Sequence, residues 1–188
     1  MQFLSELWLP IVVSAGICLT WSAIARVVLP YHRKEWRRLS TEPDVLAALR
    51  KDPPAPGLYA FPFSMGADLN RADTRTALEK GPVGFVTIGG NGAPRRGVML
   101  SQSVMFFLVV SALVAYVAWH AAPGSKLGIP YPSTFRIVGT VATMAYVLGT
   151  TPESVWFARP WKSWAYQALD GTMMGLLTAG VFGWLWPN

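Results

Sequence analysis

Four stretches of the chain carry almost no charge, and they set the expected architecture. Leu7 to Ala25 and Met99 to Ala122 run without a charged residue. Each is long enough to cross a bilayer unaided, because a spanning helix needs roughly 20 mostly apolar residues. Ile137 to Pro152, which follows Arg136, and Gly171 to Pro187, which follows Asp170, reach that length once a flanking turn is added. The pattern predicts an all-α membrane protein with four transmembrane helices. It divides the chain into a first transmembrane helix over 1–30, a cytoplasmic loop domain over 31–97, and transmembrane helices two to four over 98–188.

Within the loop the periodicity changes. Thr41-Glu42-Pro43-Asp44 has the form of a helix start, with a hydroxyl ahead of an acidic, proline-containing first turn. That helix is expected to run to about Lys51. Asp52-Pro53-Pro54 stops it, and the aromatic run Leu58 to Phe63 suits a short strand. Asn70 to Lys80 suits a second helix with Gly81 as its C-terminal cap. Gly84 to Ile88 is a second strand candidate, closed by Gly89-Gly90-Asn91-Gly92. The loop is therefore expected to be a small α+β domain.

Composition agrees with a bilayer. Only 14% of residues are charged and 52% are hydrophobic, whereas an average soluble domain carries about 25% charge. The net charge of +6 raises the possibility of nucleic acid, but the placement of the charge speaks against it. Eleven of the 16 Lys and Arg lie between Tyr31 and Gly97, and Arg159 and Lys162 stand between the third and fourth runs. Only Lys126 and Arg136 flank the opposite face. Cytoplasmic loops carry such an excess, so residues 31–97 are expected inside and both termini outside. Arg33, Lys34, Arg37, Arg38, Arg95 and Arg96 adjoin the first two runs and are expected to meet anionic lipid headgroups. Glu6 precedes the first run and the basic cluster follows it. That order suits an anchor, since a cleaved leader carries its positive charge first.

Leu29-Pro30-Tyr31-His32-Arg33, Tyr59-Ala60-Phe61-Pro62, Gly81-Pro82-Val83-Gly84-Phe85 and Gly183-Trp184-Leu185-Trp186-Pro187 resemble segments of a bacterial family of small four-helix integral membrane proteins. The resemblance covers nearly the whole chain and implies a multi-pass protein of the bacterial inner membrane. It brings no activity with it, so no functional residue is carried over.

Candidate chemistry is sparse. A carboxylate in a membrane segment is costly and often functional. Asp170 is expected to meet Arg159, Lys162 or Arg26 in an ion pair at the inner interface. Leu169 to Gly175 shares only the Asp-Gly opening of the CDP-alcohol phosphotransferase motif and lacks its Ala-Arg at Met174 and Gly175. Gly89 to Gly97 lacks the Lys-Ser/Thr ending of a phosphate loop. His120 is the one candidate for cofactor binding, as a single ligand to a tetrapyrrole; otherwise no cofactor and no metal site is expected. Gly171, Gly175, Ala179 and Gly183 recur at every fourth position. Such a stripe lets helix backbones approach in lipid, where no hydrophobic force draws helices together. Ser14, Cys18 and Ser22 make a weaker stripe on the first run.

No nucleophile–base pair is present, so no enzyme is expected. The residues suggest an accessory or structural subunit of a larger inner-membrane assembly, such as an energy-transducing photosynthetic or respiratory complex. Its partners would be other membrane proteins and anionic lipid. The alternative is a small transporter or channel using Asp170, Arg26 and Arg136.

Overall fold

In the computed structural model, residues 2–64, 70–122 and 127–187 are described. Lys126, which the charge distribution sets on the outer face, lies outside them. The elements in chain order are α1 (Gln2–Glu6), α2 (Trp8–Val27), a 3-10 turn (His32–Lys34), α3 (Glu42–Lys51), β1 (Gly57–Phe61), α4 (Ala72–Lys80) and β2 (Gly84–Ile88). They continue with α5 (Arg96–Ala121), α6 (Tyr131–Val147), a second 3-10 turn (Leu148–Thr150), α7 (Thr151–Trp156) and α8 (Trp161–Trp184). The chain forms two compact units, one of residues 1–36, 95–152 and 160–188, the other of residues 37–94 and 153–159.

The first unit is a helical bundle. α6 and α8 form its most extensive pairing, α2 packs on both α5 and α8, and α5 also meets α6. Phe182, Val114, Val138 and Leu7 are fully buried at its centre. Polar atoms cross that core as well. Ser14 Oγ on α2 donates to Ser111 Oγ on α5 at 3.1 Å, and Cys18 Sγ lies 3.4 Å from Thr178 Oγ1 on α8. At one end of the bundle Trp119 stacks on Trp186, with ring centroids 6.4 Å apart.

The expectation of four transmembrane helices is overturned. Among the described residues only α2, with 20 residues, and α5, with 26, are long and apolar enough to cross a membrane. α6 has 17 residues and spans about 26 Å at 1.5 Å per residue, short of a hydrocarbon core about 30 Å thick. Its length also includes Arg136, and after Val147 the chain tightens into the 3-10 turn. α8 is long, but Lys162 and Asp170 interrupt its first half. What remains beyond Asp170, Gly171 to Trp184, covers about 21 Å. The flanking turns that extend these two runs are the places where polarity returns.

The second unit holds the α+β elements close to where the local pattern sets them. Pro43 sits in the first turn of α3 and Gly81 ends α4 with φ +56°, a left-handed value that glycine adopts without a Cβ penalty. Thr41 stands at the N-cap position of α3, yet its hydroxyl makes no capping bond. β1 and β2 pair antiparallel, with Tyr59 opposite Val86 and Phe61 opposite Gly84. A Cβ at Gly84 would fall 2.8 Å from the Phe61 ring, so the glycine lets that ring lie across its neighbouring strand. Phe85 meets Phe157 edge-on at 5.6 Å, and Arg159 Nη1 donates to Glu153 Oε2 at 2.5 Å. Residues 153–159 thus belong with this unit, whereas 31–36 belong with the bundle.

Candidate functional site

A cluster of ionisable side chains forms where α2 ends. The N–H groups of Val28 and Leu29 both return to the carbonyl of Ile24, at 2.8 and 3.1 Å. Pro30 follows, has no N–H and disfavours helical geometry in the residue before it. The chain then winds into the turn His32–Lys34, which brings Tyr31 and His32 against α8. The Tyr31 hydroxyl donates to Asp170 Oδ1. His32 Nε2 meets Asp170 Oδ2 at 2.6 Å, and His32 Nδ1 faces Glu35 Oε2 at 3.3 Å.

The cluster is largely enclosed. The side chains of His32 and Glu35 are 14% exposed and that of Asp170 is 10% exposed. The Tyr166 ring covers one side, with its centroid 5.2 Å from Tyr31 and 6.3 Å from His32. Glu35 Oε1 is buried without a hydrogen-bond partner. Loss of hydration, and then the hydrogen bond and negative charge of Asp170, push the Tyr31 hydroxyl up to about 12. Tyr31 therefore stays a donor at every physiological pH. The arrangement sets an imidazole between two carboxylates, with a phenol as a fixed donor to one of them. Among the described residues no three His, Cys, Asp or Glu side chains are disposed to hold a metal ion, and His32 directs both ring nitrogens at carboxylates.

The expected ion pair of Asp170 with Arg159, Lys162 or Arg26 takes a different form. Asp170 is held by Tyr31 and His32. Arg159 pairs with Glu153 in the second unit. Lys162 sits with Nζ 6.0 Å from the centre of the Tyr166 ring, and Arg26 is exposed at the last turn of α2. Tyr31 and His32 lie 139 and 138 residues from Asp170 along the chain, and nothing in the linear pattern of Lys and Arg ties them to it. The available signal was that a buried carboxylate requires donors of any charge.

The stripe of Gly171, Gly175, Ala179 and Gly183 faces α6. A Cβ at Gly171 would fall 2.8 Å from Val147, one at Gly175 2.1 Å from Thr143, and one at Gly183 2.7 Å from Tyr131. Ala179 Cβ lies against Gly139. On α2, Ser14 and Cys18 are buried and Ser22 is half-buried. His120 is exposed at the end of α5, where Nδ1 donates to the Tyr116 carbonyl at 2.8 Å and the ring lies 4.3 Å from that of Tyr116. Of the basic residues expected at headgroups, Arg33, Lys34, Arg37, Arg38, Arg95 and Arg96 are all exposed. Arg33 donates to the Val27 carbonyl at 2.6 Å, and Arg38 pairs with Glu42 at 2.5 Å. Compared with known proteins, the chain matches no family model, no curated protein and no solved structure.

Proposed function

We propose that this chain is an accessory subunit embedded in the bacterial inner membrane, with its basic loop on the cytoplasmic side and its function exerted through contact with other membrane proteins. The observation that carries the reading is α5. It has 26 residues, and an 18-residue stretch of it with mean hydropathy 2.2 is only 28% buried inside the protein. A core helix of a water-soluble domain would be mostly covered. Here Met105, Phe106, Val109, Leu113 and Tyr116 face outward, and an 18-residue stretch of α2 is only 33% buried. Contiguous apolar surface of this length is suited to lipid or to partner helices.

A partner helix has a suitable place to dock. Val13, Gly16, Ile17, Thr20 and Ile24 on α2, with Leu177 on α8, line an open apolar groove of about 540 Å³. A Cβ at Gly16 would meet nothing within 4 Å, and small residues at such a position allow close approach of a second backbone. An energy-transducing complex remains the partner class the sequence suggests. The transporter alternative loses its convergence of charge, because Arg26 and Arg136 are exposed while Asp170 is buried. Arg136 Nε donates to the Pro132 carbonyl of its own helix.

The test is to extract native membranes with a mild detergent and compare wild type with Gly16→Leu on native gels. An accessory subunit migrates at fixed stoichiometry with one set of partners, and Gly16→Leu lowers that fraction while remaining in the membrane. Migration of wild type at the mass of the chain alone would sink the proposal.

A further inference from the structure

His32 has an oxygen of a carboxylate against each ring nitrogen: Asp170 Oδ2 at 2.6 Å from Nε2 and Glu35 Oε2 at 3.3 Å from Nδ1. A neutral imidazole has one N–H and one lone pair. With a neutral ring and two ionised carboxylates, one of those contacts sets a lone pair against an anionic oxygen. A ring bearing both protons donates in both directions. The 2.6 Å contact has the short length of a charge-assisted hydrogen bond. The bare, buried Glu35 Oε1 adds a second reason, because an anionic oxygen removed from water is costly unless positive charge lies beside it.

The surrounding charges leave that role to His32. Its own turn contributes Tyr31, Arg33, Lys34 and Glu35; α8 contributes Lys162, Tyr166 and Asp170; α2 contributes Arg26. Arg33 is bound to the Val27 carbonyl, Lys162 stands over the Tyr166 ring, and Lys34 and Arg26 are exposed. Tyr31 donates its only proton to Asp170. None of these cations contacts Asp170 or Glu35.

We propose that His32, Asp170 and Glu35 form a proton-binding site, in which the proton held on the imidazole ties the segment after α2 to α8. Uptake of the proton closes the clasp; its loss replaces one attractive contact with a repulsive one and frees residues 29–36. The site is independent of the accessory-subunit reading, since it needs no partner. It provides a way for local proton concentration to be sensed at one end of the bundle.

The chain has two histidines, His32 and His120, so 15N-histidine labelling of the full-length protein in lipid nanodiscs gives two ring systems. His120→Gln leaves the His32 signals alone. At pH 7 the expected result is an N–H on both ring nitrogens of His32. In Asp170→Asn the ring should carry one N–H, and amide exchange over residues 29–36 should quicken by about tenfold or more, as expected when a local tie is released. A wild-type ring with a single N–H at pH 7 overturns the proposal. So does Asp170→Asn with a doubly protonated ring and unchanged exchange. Should that variant fail to fold, Glu35→Gln provides the same comparison on the other nitrogen, and the wild-type spectrum alone already decides the protonation state.

Discussion

Gly175 on α8 lies so close to Thr143 on α6 that a Cβ built on the glycine would fall 2.1 Å from Thr143 Oγ1 and 2.9 Å from its backbone nitrogen. Moving a hydroxyl can relieve the first contact, but the second involves backbone. Overpacking of this kind costs about 1–3 kcal/mol, and more when backbone must shift. Gly175→Ala should therefore lower the thermal unfolding temperature in mild detergent, and Gly175→Leu should prevent normal folding. Gly180 is the control on the same helix. A Cβ there meets nothing within 4 Å, so Gly180→Ala should be neutral or stabilising by up to about 1 kcal/mol through helix propensity. Equal stability of Gly175→Ala and Gly180→Ala would show that α6 and α8 do not pack as described.

Asp170→Ala should be among the most damaging single truncations of a polar side chain in the bundle. It removes the acceptor for both Tyr31 and His32 and leaves two polar groups without their partner in a largely enclosed place. Leaving a buried polar group without its hydrogen-bond partner costs about 1–3 kcal/mol, and here two groups lose theirs. Arg38→Ala, which breaks the exposed pair with Glu42, should cost less than about 1 kcal/mol. Chemical denaturation of the two variants side by side checks the ranking.

Tyr31→Phe should cost about 1–2 kcal/mol at neutral pH, a hydrogen bond to a carboxylate discounted for partial exposure. The loss should depend on pH in one direction. The Tyr31 hydroxyl ordinarily ionises near 10.0 and is pushed up to about 12 in the folded protein. Its contribution is thus fully present below pH 10 and disappears as pH rises toward 12, because the unfolded chain ionises first. The difference in unfolding temperature between wild type and Tyr31→Phe should shrink across that window. A difference that stays constant to about pH 11.5 would exclude the bond to Asp170 as its source.

Ser14 and Ser111 should show coupled energetics. Both are fully buried, and they are joined at 3.1 Å across α2 and α5. Such bonds between helices in membrane proteins average about 0.6 kcal/mol and reach about 1.7. In a cycle of Ser14→Ala, Ser111→Ala and the double variant, the two single losses should exceed the double loss by an amount in that range. Strict additivity would mean the hydroxyls do not bond.

Much of the local structure is legible in the sequence. Charge-free runs mark α2 and α5, because both the cost of burying charge in lipid and the length needed to cross it are set by consecutive residues. Gly81 and the β-branched run Val86-Thr87-Ile88 likewise mark the end of α4 and the course of β2 by local rules. The number of membrane-length helices is less legible, since it depends on where α6 and α8 meet polar positions and on how tightly the chain turns after Val147.

The partners were decided by tertiary structure alone. Asp170 could be seen to need a donor, but a linear search favours cations such as Arg159 and Lys162. The fold supplies Tyr31 and His32 instead, because Pro30 turns the chain back onto α8 where α2 ends. The stripe of Gly171, Gly175, Ala179 and Gly183 announces close packing by its four-residue spacing, which keeps it on one slowly winding face of a helix. It carries nothing about what lies opposite. Periodicity is a property of one helix, whereas a contact belongs to two, and only the approach of α6 identifies Val147, Thr143, Gly139 and Tyr131 as the facing residues.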